Sequence, residues 1–169
     1  MVSQITMGKK EAVKGADRLE AALKTGEELR HRFLKLVIDD AESFNAVMKA
    51  FKIPKEQQET RRKAIQEATM KAAEVPLFTL DSSVQTLRLA REVAENGTTN
   101  ALSDVSTSIA AARAAGEGAA SNVLINLETL DDKHYVEKTA KRVAELRNDA
   151  SMLEQQVRER VASRLQKTS

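Results

Sequence analysis

Apolar residues recur at steps of three and four along most of this chain, the spacing that places them on one face of an α-helix. The alternation typical of strands is nearly absent. Asp39 and Asp40 interrupt the first apolar stretch and are able to cap a second segment in line with it. The pattern therefore predicts an all-α protein, a bundle of about five long helices in a single domain spanning residues 1–169. The helical spacing of apolar residues is found in residues 10–51, 55–95, 103–130 and 132–167.

Proline and glycine mark where these helices are expected to stop or bend. Pro54 ends the first stretch, because the residue before a proline avoids the α conformation. Pro76 falls inside the second and predicts a kink there or a break at Val75–Pro76, since it removes one hydrogen bond and presses on the carbonyl of Ala72. Gly97 is expected to close that helix in the left-handed conformation.

The last two stretches differ in character. Small residues fill most of 103–130, which predicts the central and most buried helix of the bundle. Gly116 and Gly118 each cost about 1 kcal/mol inside a helix, so they predict the close approach of a neighbouring backbone. The stretch 132–167 has one narrow apolar stripe, which would pack on the bundle or on a partner helix and suggests a homodimer.

Composition and charge exclude several classes of function. The chain has 27 basic and 25 acidic residues, interleaved, which does not indicate a nucleic-acid partner. It has no cysteine, which excludes disulfides, thiolate metal sites and cysteine nucleophiles. No apolar run approaches the ~20 residues of a membrane span, and the N-terminal residues lack the apolar core of a signal peptide. We therefore expect a cytoplasmic protein without a membrane partner.

Two histidines and one aspartate are the first candidates for chemistry. His31 and His134 are flanked by charge and lack metal-ligand spacing, so no metal is expected. Asp104 lies near the start of a predicted helix, directly after Ser103. One interpretation is that either residue caps this helix. The other is that Asp104 serves as a general base beside small residues.

Two asparagines further along the same predicted helix are also candidates. Asn122 and Asn126 are four residues apart and share one face, either as a polar core network or as ligand contacts. Asp104 shares that face with Asn122 but lies about 27 Å away along the axis. This helix alone cannot bring both to one small site, whereas an antiparallel partner helix would.

Five segments, in this order and at this spacing, resemble one known family. They are MGKK, DDAESFNAVMKAFKIPK, AAEVPL, NGTTNALSDV and GAASNVLINLETLDD. Together they resemble the formiminotetrahydrofolate cyclodeaminase / methenyltetrahydrofolate cyclohydrolase family over nearly the whole chain. The resemblance implies an all-α dimer that acts on reduced folates, tetrahydrofolate derivatives, without a metal. Its reactions cyclise 5-formiminotetrahydrofolate with loss of ammonia, or hydrolyse 5,10-methenyltetrahydrofolate to 10-formyltetrahydrofolate.

The resemblance also implies roles for particular residues. The catalytic candidates are Asp104 for proton transfer, Lys9 for a folate carboxylate or developing charge, and Asp40 at the family's acidic position. Asn45 and Asn100 would orient the pterin or the one-carbon unit. The remaining positions matched to the substrate site are Ser103, Phe44, Pro76, which would shape the pocket wall, Asn122 and Asn126.

Departures from the family's pattern keep a second interpretation open. The family opens with a Pro-Gly-Gly-Gly-Ser segment and a small-residue helix, and this sequence lacks that segment. Thr98 stands where the family has asparagine after glycine, and Ser106 stands where it has glycine. The alternative is therefore an inactive member of the family that acts as a non-catalytic helical interaction protein.

Overall fold

The computed structural model describes residues 16–167, and this part of the chain is almost entirely helical. No strand occurs between residues 16 and 167, so the all-α prediction is confirmed, whereas the prediction of about five helices is wrong. Within residues 16–167, one 3-10 turn, Thr99–Ala101, precedes the third helix. The four α-helices of this described part are α1 (Ala16–Phe51), α2 (Gln58–Asn96), α3 (Leu102–Leu127) and α4 (Lys133–Gln166).

The first helix accounts for the difference in number. α1 continues through Asp39 and Asp40, where a second segment was expected to begin. The Asp39 carboxylate accepts two hydrogen bonds from Lys35 Nζ, at 2.6 and 2.8 Å, one turn earlier on the same helix. This i,i+4 ion pair supports a continuous helix rather than a new N-terminus.

The second helix contains Pro76 without a break. α2 extends from Gln58 to Asn96, so the expected break at Val75–Pro76 is wrong, and a kink there remains a prediction. Pro76 has no N–H to offer the carbonyl of Ala72, four residues earlier. That carbonyl instead accepts a hydrogen bond from Asn126 Nδ2 of α3, at 3.2 Å. A side chain of the neighbouring helix therefore replaces the bond that proline removes.

The central helix is α2 rather than α3, which corrects the expectation from the small-residue stretch. α2 packs against α1, α3 and α4, whereas α1 packs mainly on α2. One face of α3 is exposed, including Ala111, Ala115 and Gly118. The largest fully buried side chains of the described residues come from all four helices: Leu19, Leu80, Leu87, Leu102, Ile109 and Leu146.

The fourth helix packs within the same chain. The predicted stripe is buried against α2 and α3 at every position except Leu165, which is exposed: Val143, Leu146, Ala150, Leu153, Val157 and Val161. Two ion pairs also join α4 to α2. Arg142 of α4 contacts Asp81, and Arg88 of α2 contacts Asp149, both at 3.2 Å. A partner helix from another chain is therefore not needed to bury the stripe.

Large apolar side chains stand exposed on the second half of α1. We call this surface the outer face of α1, and Val37 is its most exposed member at 70%. Each helix carries charged residues, and none of the described helices is long and apolar enough to cross a membrane. The outer face consists of Leu34, Val37, Ile38, Phe44, Met48 and Phe51.

Candidate active site

Asp104 lies in the first turn of α3, directly after the 3-10 turn. The residue at the N-cap position is Ala101, which has no capping side chain, so the interpretation that Ser103 or Asp104 caps this helix is wrong. The carboxylate nevertheless lies in the first turn, at the positive end of the helix dipole, where an acidic side chain stabilises a helix. Its position is therefore set by the turn that joins α2 to α3.

A pocket of about 350 Å³ opens beside Asp104 between α1, α2 and α3. Its walls are mainly apolar and include Leu23, Leu89 and Val93. Among its polar residues, Thr86 donates its hydroxyl hydrogen bond to the carbonyl of Ser82 within α2. A carboxylate at the edge of a largely apolar pocket suits proton transfer to a bound organic molecule.

Glu27 of α1 lines the same pocket and was missed by the sequence reasoning. Its carboxylate accepts a hydrogen bond from Arg30 Nε at 2.8 Å, and this bond together with the charge of Arg30 lowers the pKa of Glu27. A Glu and an Arg three residues apart are usually a solvated pair on a helix surface. Its place in the wall of the Asp104 pocket, which depends on how α1 packs on α2, distinguishes this glutamate from a surface residue.

A second pocket, of about 420 Å³, brings together three of the predicted site residues. Asp40 of α1, Pro76 of α2 and Asn122 of α3 all line it. Asn126 lies next to it and donates to the carbonyl of Asn122 at 3.1 Å and to Asn122 Oδ1 at 3.3 Å. Asn126 therefore takes part in hydrogen bonds between α3 and α2, whereas Asn122 is exposed at the pocket and is not part of a polar core.

A third, almost wholly apolar pocket of about 410 Å³ lies between the other two. It shares Thr86 and Leu89 with the Asp104 pocket, and Phe33 and Val37 with the Asp40 pocket. The three pockets form one groove beside α1. Asp104 lies near one end and Asn122 near the other, which is about 27 Å along α3.

The other predicted residues lie outside these pockets. Asn100 and Ser103 are exposed, on the turn before Asp104 and in the first turn of α3. Phe44 and Asn45 are exposed on α1 and do not line the Asp40 pocket. Lys9 lies outside the described residues. The structure thus divides the predicted site residues between two pockets and two exposed segments.

Among residues 16–167, no three His, Asp or Glu side chains lie close enough together to hold a metal ion. His31 is exposed and lies 3.3 Å from an Arg30 nitrogen, a cationic neighbour that disfavours metal binding. The polar groups of the three pockets are carboxylates, hydroxyls, the Asn122 amide and the Arg30 guanidinium, which supply proton transfer and hydrogen bonding.

The fold and the pockets define a class of protein before any comparison. It is an all-α protein in which a carboxylate at the start of a small-residue helix borders an apolar groove. Comparison with known proteins makes this class specific. The chain belongs to the formiminotransferase-cyclodeaminase family, whose model matches residues 1–145. The resemblance identified from the five sequence segments is thereby confirmed.

Individual relatives agree with this assignment. The chain is 35% identical over 168 residues to the methenyltetrahydrofolate cyclohydrolase of Methylorubrum extorquens, covering 98% of this chain and 81% of that protein. It is 32% identical over 157 residues to the formimidoyltransferase-cyclodeaminase of Rattus norvegicus, covering 89% of this chain but only 28% of that longer protein. The match to the rat protein therefore concerns about a quarter of its length.

A solved structure supports the fold. The crystal structure of formiminotetrahydrofolate cyclodeaminase from Thermotoga maritima superposes with a TM-score of 0.87 at 25% sequence identity. The superposition covers 96% of this chain and 79% of that chain. The helices described above, and not only the short sequence segments, are therefore shared with a member of the family.

Proposed function

We propose that this chain is a folate one-carbon enzyme that hydrolyses 5,10-methenyltetrahydrofolate to 10-formyltetrahydrofolate. The similarity to a methenyltetrahydrofolate cyclohydrolase extends over almost the whole chain. The observation that carries the proposal is the position of Asp104, which borders a pocket walled mainly by apolar side chains. In this account, residues 1–169 act as a single helical domain.

The reaction needs a group that moves protons and a site that orients the folate. Water adds its oxygen to the cationic methenyl carbon between two folate nitrogens, and one water proton passes to the Asp104 carboxylate. The tetrahedral intermediate then collapses: the bond from that carbon to N5 breaks, N5 takes the proton held by Asp104, and the hydroxyl releases its own proton to solvent as it becomes the formyl oxygen. A positioned carboxylate contributes about 10²- to 10⁴-fold to such a step.

Other residues would bind and orient the substrate. Asn100, one turn before Asp104, would hold the one-carbon unit or the pterin. Asp40 and Asn122 would act at the second pocket, with Pro76 as part of its wall. The further proposed contacts are the exposed residues Ser103, Phe44 and Asn45, the half-buried Asn126 as a support for Asn122, and Lys9 for a folate carboxylate.

Cyclisation of 5-formiminotetrahydrofolate with loss of ammonia is the second candidate reaction. It is favoured by the similarity of the fold to a formiminotetrahydrofolate cyclodeaminase. One folate nitrogen attacks the formimino carbon, a tetrahedral carbon forms, and the departing nitrogen needs protons to leave as ammonia. Asp104 would carry protons in this reaction as well, so one site would serve both.

The protein is further proposed to be a homodimer that forms through the outer face of α1. Phe44 is 62% exposed and Ile38 is 60% exposed, on a helix that packs mainly on α2. Contiguous exposed apolar surface of this kind is uncommon on monomers and marks an interaction site. A second copy is the occupant we propose because the resemblance to the family implies a dimer.

The proposal is tested by offering both substrates to the purified protein. Loss of the methenyltetrahydrofolate chromophore measures hydrolysis, and ammonia release from 5-formiminotetrahydrofolate measures cyclodeamination. We expect hydrolysis to be accelerated well above the uncatalysed rate. Acceleration of only the second reaction would assign the chain as a cyclodeaminase. Acceleration of neither would reject the enzyme and leave the non-catalytic helical protein.

A further inference from the structure

The C-terminal end of α2 lacks the cap that its glycine was expected to provide. Gly97 has φ −74° and ψ 169°, an extended conformation, so the predicted left-handed closure is wrong. Its N–H donates to the carbonyl of Val93 at 2.8 Å, and the last turn of α2 holds no basic residue. The final carbonyls of a helix need donors from elsewhere when no such cap forms.

Arg164, in the last turn of α4, supplies two such donors. Its Nη1 donates to the carbonyl of Ala94 and its Nη2 to the carbonyl of Gly97, both at 2.7 Å. One planar guanidinium therefore joins the last turn of α2 to the first residue beyond it, which a lysine cannot do with the same geometry. Its positive charge also lies at the negative end of the α2 dipole.

The backbone that Arg164 holds leads directly to Asp104. From Gly97 the chain passes through the 3-10 turn, in which the Ala101 N–H donates to the carbonyl of Thr98 at 3.2 Å. Ala101 and Leu102 are both buried, so the turn is anchored on its inner side. The direction of the chain at Gly97 therefore sets where the first turn of α3, with Asp104, meets the pocket.

We propose that Arg164 is a positioning residue for Asp104. Its two hydrogen bonds order the turn between α2 and α3 and hold the Asp104 carboxylate at the edge of its pocket. Arg164 is about 70 residues from the backbone atoms it binds and lies beyond the residues 1–145 that match the family model. The C-terminal end of α4 therefore helps to hold Asp104 in place. This inference rests on the proposed function for its kinetic consequence.

The test uses Arg164→Ala and Arg164→Lys in the full chain, with Arg142→Ala as the matched control. Arg142 also joins α4 to α2, through Asp81, but far from the turn. Hydrogen exchange of the amides of residues 98–104 reports the order of the turn. The kcat and KM for methenyltetrahydrofolate hydrolysis report the placement of Asp104. All variants are compared at a temperature where they are fully folded.

We expect Arg164→Ala to accelerate exchange across residues 98–104 at least tenfold and to lower kcat at least tenfold, with a smaller change in KM. Arg164→Lys should recover part of both effects, and Arg142→Ala should cause neither. Exchange in residues 98–104 that matches the wild type in folded Arg164→Ala would overturn the proposal, as would a kcat no lower than that of Arg142→Ala. If the wild type shows no turnover, the proposed function fails, and the exchange comparison still decides whether Arg164 orders the turn. If Arg164→Ala does not fold, the same comparison is made with Arg164→Lys.

Discussion

Asn126 replaces the hydrogen bond that Pro76 removes from α2. The Ala72 carbonyl would be bonded by the N–H of residue 76 in an ordinary helix, and here it accepts from Asn126 Nδ2 at 3.2 Å. Ala72 is buried, so a carbonyl without a donor there would cost free energy. The asparagine and the proline, 50 residues apart, therefore act as a pair.

This pairing predicts non-additive effects on stability. We expect Asn126→Ala to lower the free energy of unfolding by about 1–2 kcal/mol, because the Ala72 carbonyl loses its donor. In a Pro76→Ala background, the backbone N–H of residue 76 is able to bond the Ala72 carbonyl. Asn126→Ala should then lower the free energy of unfolding by clearly less. Urea unfolding of the wild type, both single variants and the double variant measures the coupling. Equal costs in the two backgrounds would show that Asn126 does not serve this carbonyl.

At the residue scale, the sequence predicted the helix face on which a residue lies better than it predicted the hydrogen-bond partner of that residue. The i,i+4 spacing correctly placed Asn122 and Asn126 on one face of a helix. The sequence did not identify Ala72 as the partner of Asn126, because that contact depends on how α3 packs on α2. Glu27 was missed for the same reason, since its local pattern is that of an ordinary surface ion pair.

The two glycines of α3 have different surroundings within the same helix. A Cβ added at Gly116 would lie 3.4 Å from Leu80 Cδ1 and 3.4 Å from Ser83 Cβ. A Cβ added at Gly118 would meet nothing within 4 Å. The predicted close approach of a neighbouring backbone is therefore wrong at Gly118, which is exposed, whereas the atoms nearest to a Cβ at Gly116 belong to the side chains of Leu80 and Ser83.

We expect Gly118→Ala to raise the free energy of unfolding by about 0.5–1 kcal/mol, the gain in helix propensity alone. Gly116→Ala should gain less, because its methyl group must fit between Leu80 and Ser83. Thermal or urea unfolding of the two variants measures the difference. The account of α3 packing would be contradicted if Gly116→Ala stabilised the protein as much as Gly118→Ala.

A network of ion pairs joins α3 to α4. Arg113 contacts both Glu117, at 3.2 Å, and Glu154, at 2.8 Å, and Arg147 bonds Glu117 from the other helix. The hydrogen bond from Arg147 is the main cause that lowers the pKa of Glu117 below its usual 4.5, with the charges of Arg147 and Arg113 adding to it. The folded state therefore favours the ionised carboxylate.

The sign of this shift predicts an effect of acid. A carboxyl with a lowered folded-state pKa stabilises the fold above its unfolded pKa, and this contribution is lost as the pH falls below about 4.5 through the folded value. We expect Glu117→Gln to be less stable than the wild type at pH 7 and to lose less stability between pH 5 and 3. Exposed Glu137→Gln is the control for charge. Parallel pH profiles for Glu117→Gln and the wild type would exclude the network as a source of acid sensitivity.

At the scale of elements, the apolar spacing predicted the helices well, including the buried stripe of α4. Their interruptions were predicted less well. Asp39 was expected to begin a helix and instead pairs with Lys35, and Gly97 was expected to cap α2 and leaves that role to Arg164. Both outcomes depend on which partner a side chain or carbonyl finds in the folded protein. The local sequence is compatible with more than one such partner.

The arrangement of the whole molecule follows from which helix is central. With α2 at the centre, α1 and α3 border a groove that joins the Asp104 pocket to the Asp40 pocket. The sequence placed α3 at the centre because its residues are small. Small residues line the groove instead, where Ala114, Ala115 and Gly118 leave space beside Asp40.

The outer face of α1 makes a prediction about assembly. We expect the wild type to have the mass of two chains by light scattering, and Ile38→Glu with Met48→Glu to have the mass of one, because charge on an apolar interface disfavours association. Arg32→Glu, an exposed substitution of α1 outside the outer face, should remain dimeric. A monomeric wild type, or a dimer that survives both glutamates, would contradict an interface at this surface.

Asp104 is proposed to move protons in the reaction of a bound folate, and one measurement tests this role most directly. It is the kcat for loss of the methenyltetrahydrofolate chromophore in the wild type, Asp104→Asn and Asp39→Asn. Asp39→Asn is the matched control because it makes the same chemical change at a carboxylate that forms an ion pair within α1. We predict that Asp104→Asn lowers kcat by about 10²- to 10⁴-fold, whereas Asp39→Asn stays near the wild type. An Asp104→Asn variant that turns over at the wild-type rate would contradict the account.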